Sequence, residues 1–119
     1  MEKYLYHITS KDEWSQVKET YLPQGFSEEG FIHCSYLQQI VGSANKFFQG
    51  KKNLVILQIE RQKLECKVVD ENLEGGEVLF PHVYDSLPVN VVVKVIDFNC
   101  QQDGNFYLPS ELNKGSKSI

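Results

Sequence analysis

Each shortage in this 119-residue chain excludes something. Cys34, Cys66 and Cys100 are odd in number and widely spaced, and no C-x-x-C pair occurs. That argues against a disulfide framework and for reduced thiols in a reducing compartment. Basic residues are too few for a nucleic-acid surface: 12 Lys and Arg stand against 16 Asp and Glu, for a net charge of −4. No nucleic-acid partner is expected. A small anionic ligand stays open, since backbone amides and a few histidines suffice for one. Apolar runs are only a few residues long, far short of a membrane span. The start, MEKYLYHIT, lacks the basic region and apolar stretch of a signal peptide, so a cytoplasmic protein is expected. Gly75-Gly76 lacks both the strand-then-helix context and the lysine of a phosphate loop. Internal repeats and low-complexity tracts are absent.

What is present suits one domain over residues 1–109, with residues 110–119 as a polar tail expected to be disordered. A chain of this length buries roughly two-thirds of its unfolded surface, so its core needs no metal or disulfide. Tyr4 to Thr9 is aromatic and β-branched and predicts a strand. Ser10 opens a capping box with Glu13 and predicts a helix to about Thr20, with Trp14 and Val17 inward. Tyr21 to Gly30, with Pro23 and Gly25, predicts a loop. Phe31 to Ser35 predicts the second strand. Ser35 then caps a helix carrying Leu37, Ile40, Val41, Ala44, Phe47 and Phe48 at helical spacing, ended by Gly50. Asn53 to Glu60 predicts a strand covered on both faces at its centre. Leu64 to Val69 predicts a weaker strand, Glu71 to Gly76 an acidic turn, and Val91 to Phe98 a clear strand. Val78 to Tyr84 reads as strand-like, with Pro81 placing it at an edge or bend. The class is α+β, with two helices, both in the N-terminal half.

The chain has three histidines, and each lies in or beside an apolar run: YLYHITS, GFIHCS and LFPHVYD. Strand parity puts His7 with Thr9, His33 with Ser35, and His82 with Tyr84 on common faces. If the first two strands are neighbours, His7, Thr9, His33 and Ser35 would form one polar cluster. Each residue also has an ordinary structural use. A strand histidine is commonly a hydrogen-bonded structural group, Thr9 sits near a helix start, Ser35 suits an N-cap, and Tyr84 can bury its ring. Parity turns Cys34 away from His33, which argues against a shared zinc ion and against a Cys-His nucleophile. No metal site is expected. The acids Asp70, Glu71, Glu74 and Glu77 read as a solvated face, with Glu77 singled out because it precedes LFPHVY.

YHITSKDEW, EGFIHCS with Gln38 and Ala44 behind it, FFQG, and FPHVY followed by LP and a valine-rich strand together resemble the bacterial domain of unknown function 952. The likeness spans Tyr4 to Pro109. That family looks like a small member of the ADP-ribosyltransferase superfamily, which implies a split, bent β-sandwich with a few helices. In the superfamily a first-strand Arg or His with a Gly/Thr-type turn holds NAD, a later H-x-S/T element lines the nicotinamide side, and a Glu sits on a later strand. His7-Ile8-Thr9 matches the first element apart from Ile8, which replaces glycine, and His33-Cys34-Ser35 matches the second. Glu77, His82 and Tyr84 compete for the third.

The resemblance implies a pocket for NAD or a nucleotide-like ligand lined by His7, His33 and His82, with NAD as substrate and no certain cofactor. His33, His82 and Glu77 would be catalytic, and His7, Thr9, Ser35 and Tyr84 ligand-binding. His82 or Glu77 would stabilise a ribosyl oxocarbenium. Two alternatives use the same residues. One is a binding-only module. The other is a two-histidine phosphoesterase acting on cyclic nucleotides, in which one imidazole takes a proton while the other gives one; the close spacing of the two H-x-T/S triplets argues against it.

Overall fold

NLVILQIE, which holds the longest unbroken apolar run of the chain (Leu54 to Leu57), lies at the centre of the fold for a physical reason: both its faces need covering. In the computed structural model, which describes residues 2–72 and 76–112, strand β4 (Leu54–Glu60) runs antiparallel between β1 (Tyr4–Ser10) and β8 (Val92–Phe98). Val55, Leu57 and Ile59 face one core, shared with Ile32, Val83 and Leu87. Leu54 and Ile56 face a second core, with Ile40, Ala44, Phe98 and Phe106. Burying each such aliphatic side chain contributes roughly 1.5–3 kcal/mol. The two cores are therefore welded by one strand.

A second antiparallel sheet has the order β3 (Ile32–His33), β6 (Phe80–Val83), β5 (Val68–Glu71), and a short ladder joins β2 (Thr20–Tyr21) to β7 (Leu87–Pro88). Pro81 does not mark an edge: it is buried in β6, the central strand of its sheet. Its missing N–H still has a consequence. The Cys34 N–H donates to the Pro81 carbonyl at 3.1 Å, and Pro81 has no N–H to return. Pairing of β3 with β6 ends there, and the next residue crosses to β1. Ser35 N–H donates to Tyr6 O at 2.7 Å and Tyr6 N–H to Ser35 O at 2.8 Å. One short strand thus stitches the two sheets together.

Three α-helices occur among the described residues, not two. Ser10 Oγ accepts the Glu13 N–H at 2.9 Å and caps α1 (Lys11–Ser15), half of the expected capping box; the Glu13 carboxylate accepts from the Thr9 hydroxyl at 3.1 Å. The helix stops at Ser15, short of Thr20, because the chain is drawn into pairing: Tyr21 sits opposite Leu87 and is buried. Tertiary burial overrides local propensity here. The additional helix is α2 (Phe26–Glu29), inside the stretch read as a loop. It is one turn, too short to show periodicity, closed by Gly30 at φ +83° whose N–H reaches Phe26 O.

Helix α3 (Leu37–Phe47) is capped at Tyr36, not Ser35, since Ser35 is held in the bridge to Tyr6; the Gln39 side chain accepts the Tyr36 N–H at 2.9 Å. Ile40 and Ala44 are buried, whereas Phe47 is exposed. The strand expected over Leu64 to Val69 begins only at Val68, so Glu71 belongs to β5 and not to the turn. The tail expected from residue 110 is ordered at its start. Ser110–Leu112 forms a 3-10 turn with Leu112 buried in the second core, and residues 113–119 lie outside the described residues. No helix of the described residues is long and apolar enough to cross a membrane.

Candidate functional site

The register of the β3–β6–β5 sheet decides which side chains meet. His33 pairs directly with His82, and His82 with Val69 on the other side. Cys34 and Pro81 share a backbone hydrogen bond, so His33 and His82 form the closer, non-hydrogen-bonded kind of pair. Their rings stand edge to face with centroids 5.1 Å apart. Phe31, two residues before His33, stacks flat on the His82 ring at 4.0 Å and 13°. It also leans against Tyr84 at 5.5 Å. This sheet face carries an aromatic platform with two imidazoles set in it.

Glu71, the last residue of β5, completes the cluster. Its Oε2 accepts from His82 Nδ1 at 2.9 Å and from the Tyr84 hydroxyl. Those two donors, Tyr84 first, hold the Glu71 carboxyl below its usual range against a smaller opposing effect of burial, while the carboxylate raises the Tyr84 phenol. The proton stays on tyrosine and the charge on Glu71. With Nδ1 engaged, His82 has Nε2 left for a ligand. The His33 side chain is half exposed, and its Nε2 meets Glu29 Oε1, at the end of α2, at 2.8 Å.

This face and α3 bound a cleft of about 810 Å³, within the range of small-molecule sites. Its walls are largely apolar, with Phe31, Phe47, Val78 and Phe80. Polar groups converge within it: His33, His82, Glu71, Ser35 and Ser43. Lys46 on α3 is the one lysine or arginine among the described residues that line it. Two hydrogen bonds hold α3 to the sheets. Gln39 Nε2 donates to Leu79 O at 2.7 Å, and Ser35 and Ser43 share a hydroxyl contact at 3.1 Å.

The single cluster of His7, Thr9, His33 and Ser35 does not form. The strands are neighbours, but Ser35 pairs with Tyr6. That register puts His7 beside Cys34, on the opposite face from His33. His7 borders the cleft, yet both its nitrogens are engaged by protein: Nδ1 lies 2.5 Å from His33 O and Nε2 2.8 Å from the Tyr21 hydroxyl. Burial lowers its pKa to about 4, outweighing the His33 carbonyl, which acts in the other direction. Thr9 donates to Glu13 Oε1 at 3.1 Å and lines a separate recess of about 430 Å³ with Tyr21. Cys34 is buried, which raises its thiol far above its ordinary value. Glu77 is exposed and does not line the cleft; Glu71 holds that place. Sequence reasoning missed Glu71 because its role depends on β5 pairing with β6. The one available signal was its even spacing from Val69. Among the described residues, no group of three His, Cys, Asp or Glu is placed to hold a metal ion.

A family model described as Protein of unknown function (DUF952) matches residues 8–95. The crystal structure of protein CC0527 from Caulobacter crescentus superposes with a TM-score of 0.81 at 33% identity, covering 92% of this chain and 98% of that one. Its solution NMR structure gives 0.77 at 32% identity, covering 91% and 95%. No curated protein matches the chain.

Proposed function

The chain belongs to the DUF952 family, whose description assigns no activity, and from the geometry of the cleft we propose that it binds NAD or a closely related nucleotide and transfers its ADP-ribosyl group. The observation that carries this reading is the Glu71 carboxylate, kept ionised by His82 and Tyr84 inside an aromatic cleft. Cleaving the C1′–N bond sends its electron pair to nicotinamide and leaves positive charge on the ribose ring. A preorganised carboxylate stabilises charge of that kind. Glu71 takes the role that the resemblance offered to Glu77 or His82. Water or an acceptor hydroxyl then bonds to C1′, and its proton passes to His33, which Glu29 orients. Phe31, Phe47 and Phe80 suit aromatic ring faces, Lys46 suits the diphosphate, and Ser35 a ribose hydroxyl. The resemblance to ADP-ribosyltransferases supports the same assignment. Three free cysteines fit a reducing cytoplasm.

The edge-on pair of His33 and His82 also favours a second reading, cyclic-phosphate opening, with one imidazole as base and the other as acid. Titration with NAD, ADP-ribose and a 2′,3′-cyclic nucleotide, followed by histidine ring NMR, separates the readings. NAD should move His33 and His82 and release nicotinamide. Opening of the cyclic nucleotide without nicotinamide release would replace transfer by the second reading. Ring shifts with no turnover would mean a binding-only module. No shift with any of the three would end every nucleotide reading.

A further inference from the structure

Of the three histidines, His7 is the one with both ring nitrogens bonded by protein. It is 7% exposed. A carbonyl only accepts hydrogen bonds, so the contact at 2.5 Å to His33 O requires a proton on Nδ1. Nε2 must then accept, and the Tyr21 phenol, kept protonated by burial, donates to it at 2.8 Å. Every ring nitrogen of His7 therefore has a defined role set by a protein group. Its partner on the Nδ1 side is the backbone of the residue whose ring enters the cleft.

The position of that backbone needs a fastener. β3 is only two residues long and its ladder with β6 ends at Pro81. The carbonyl of His33 lies where the chain leaves one sheet for the other. We infer that His7 is a positioning residue: its Nδ1–H, with the tautomer chosen by Tyr21, clamps the His33 carbonyl and so fixes the His33 ring in the cleft, and His7 itself does not touch the ligand. This departs from the ligand-binding role that the family resemblance implies for it. It rests on the proposed function only for the activity measurement below; the geometric part stands by itself.

The test uses ¹⁵N-histidine-labelled full-length protein without ligand at neutral pH. Expected is a His7 ring protonated at Nδ1 and bare at Nε2; a ring protonated at Nε2 overturns the inference, and no variant is needed to see it. Tyr21→Phe removes the donor to Nε2 and should let the tautomer shift, moving the His33 amide and ring signals. His7→Asn keeps an N–H donor near the Nδ1 position and should leave the His33 signals close to wild type. His7→Leu has no donor and should displace them. Identical His33 signals in all variants would sink the positioning role. With NAD, His7→Leu should lower kcat roughly 10- to 100-fold through misplacement of His33, with His7→Asn restoring most of it. If NAD is not turned over by wild type but the His33 signals follow the donor, the transferase reading fails and the clamp stands.

Discussion

His7 and His33 lie one on each side of the same strand junction, joined by the 2.5 Å contact of His7 Nδ1 with the His33 carbonyl, and their surroundings are opposite. His7 is buried, neutral and bonded at both nitrogens by protein. His33 is half exposed, faces a second imidazole and a carboxylate, and opens on a cleft. The difference comes from a single residue of register. Had Ser35 paired with His7 in place of Tyr6, both rings would share one face. Similar H-x-T/S triplets therefore have different surroundings, one bonded within the protein and the other lining the cleft.

That contrast can be broken in order of expected effect. His33→Ala should reduce nicotinamide release by about 10²–10⁴-fold, the usual scale for a lost acid–base group. Its thermal midpoint should barely move, because the ring is half exposed. An unchanged rate would remove His33 from the chemistry. Glu71→Gln should cost about 10²–10³-fold in turnover with NAD affinity retained, on the scale of a lost preorganised electrostatic group. Equal loss in binding and turnover would make Glu71 a mere structural partner of His82.

On the buried side the expected signature is acid sensitivity. The His7 pKa in the folded protein, about 4, lies below its ordinary value of 6.5, so the unfolded chain binds the proton more readily. Stability from this site is full above pH 6.5 and lost as pH falls toward about 4. At roughly 1.4 kcal/mol per pKa unit the loss is of order 3 kcal/mol. Urea unfolding of wild type and His7→Asn between those pH values should show the wild-type slope and its loss in the variant; parallel curves would mean His7 is not buried as a neutral ring. The smallest effect is expected at Phe31. Phe31→Leu removes the stack on His82 and should cost about 1 kcal/mol of stability, with a wider spread of His82 ring signals. No change in those signals would show that Glu71 alone orients His82.

Some of this was legible in advance. The apolar run of β4, the N-cap at Ser10 and the helical spacing after Ser35 rest on near neighbours, and those elements formed, although α1 stops at Ser15 and α3 is capped at Tyr36. Parity also paired His33 with Ser35 and turned Cys34 away from His33. Other features depend on partners far along the chain. Beyond its even spacing from Val69, nothing near Glu71 distinguishes it from its acidic neighbours, because its donors, His82 and Tyr84, lie more than ten residues along the chain. α2 is a single turn, which periodicity cannot resolve. Pro81 suggests an edge or a bend by itself, yet it lies in a central strand, since its missing N–H falls where β3 departs.

The sequence alone placed β1, α3, β4 and β8 to within a few residues, because hydrophobic period is a local property, whereas α2 and the β2–β7 ladder were not legible in it. It also named the three histidines and the residues sharing a face with each. Only the tertiary structure decided which faces meet. Register couples residues tens of positions apart, and a shift of one moves a whole set of side chains from core to cleft. That step buried His7 behind the His33 carbonyl and brought His33, His82 and Glu71 together in one cleft.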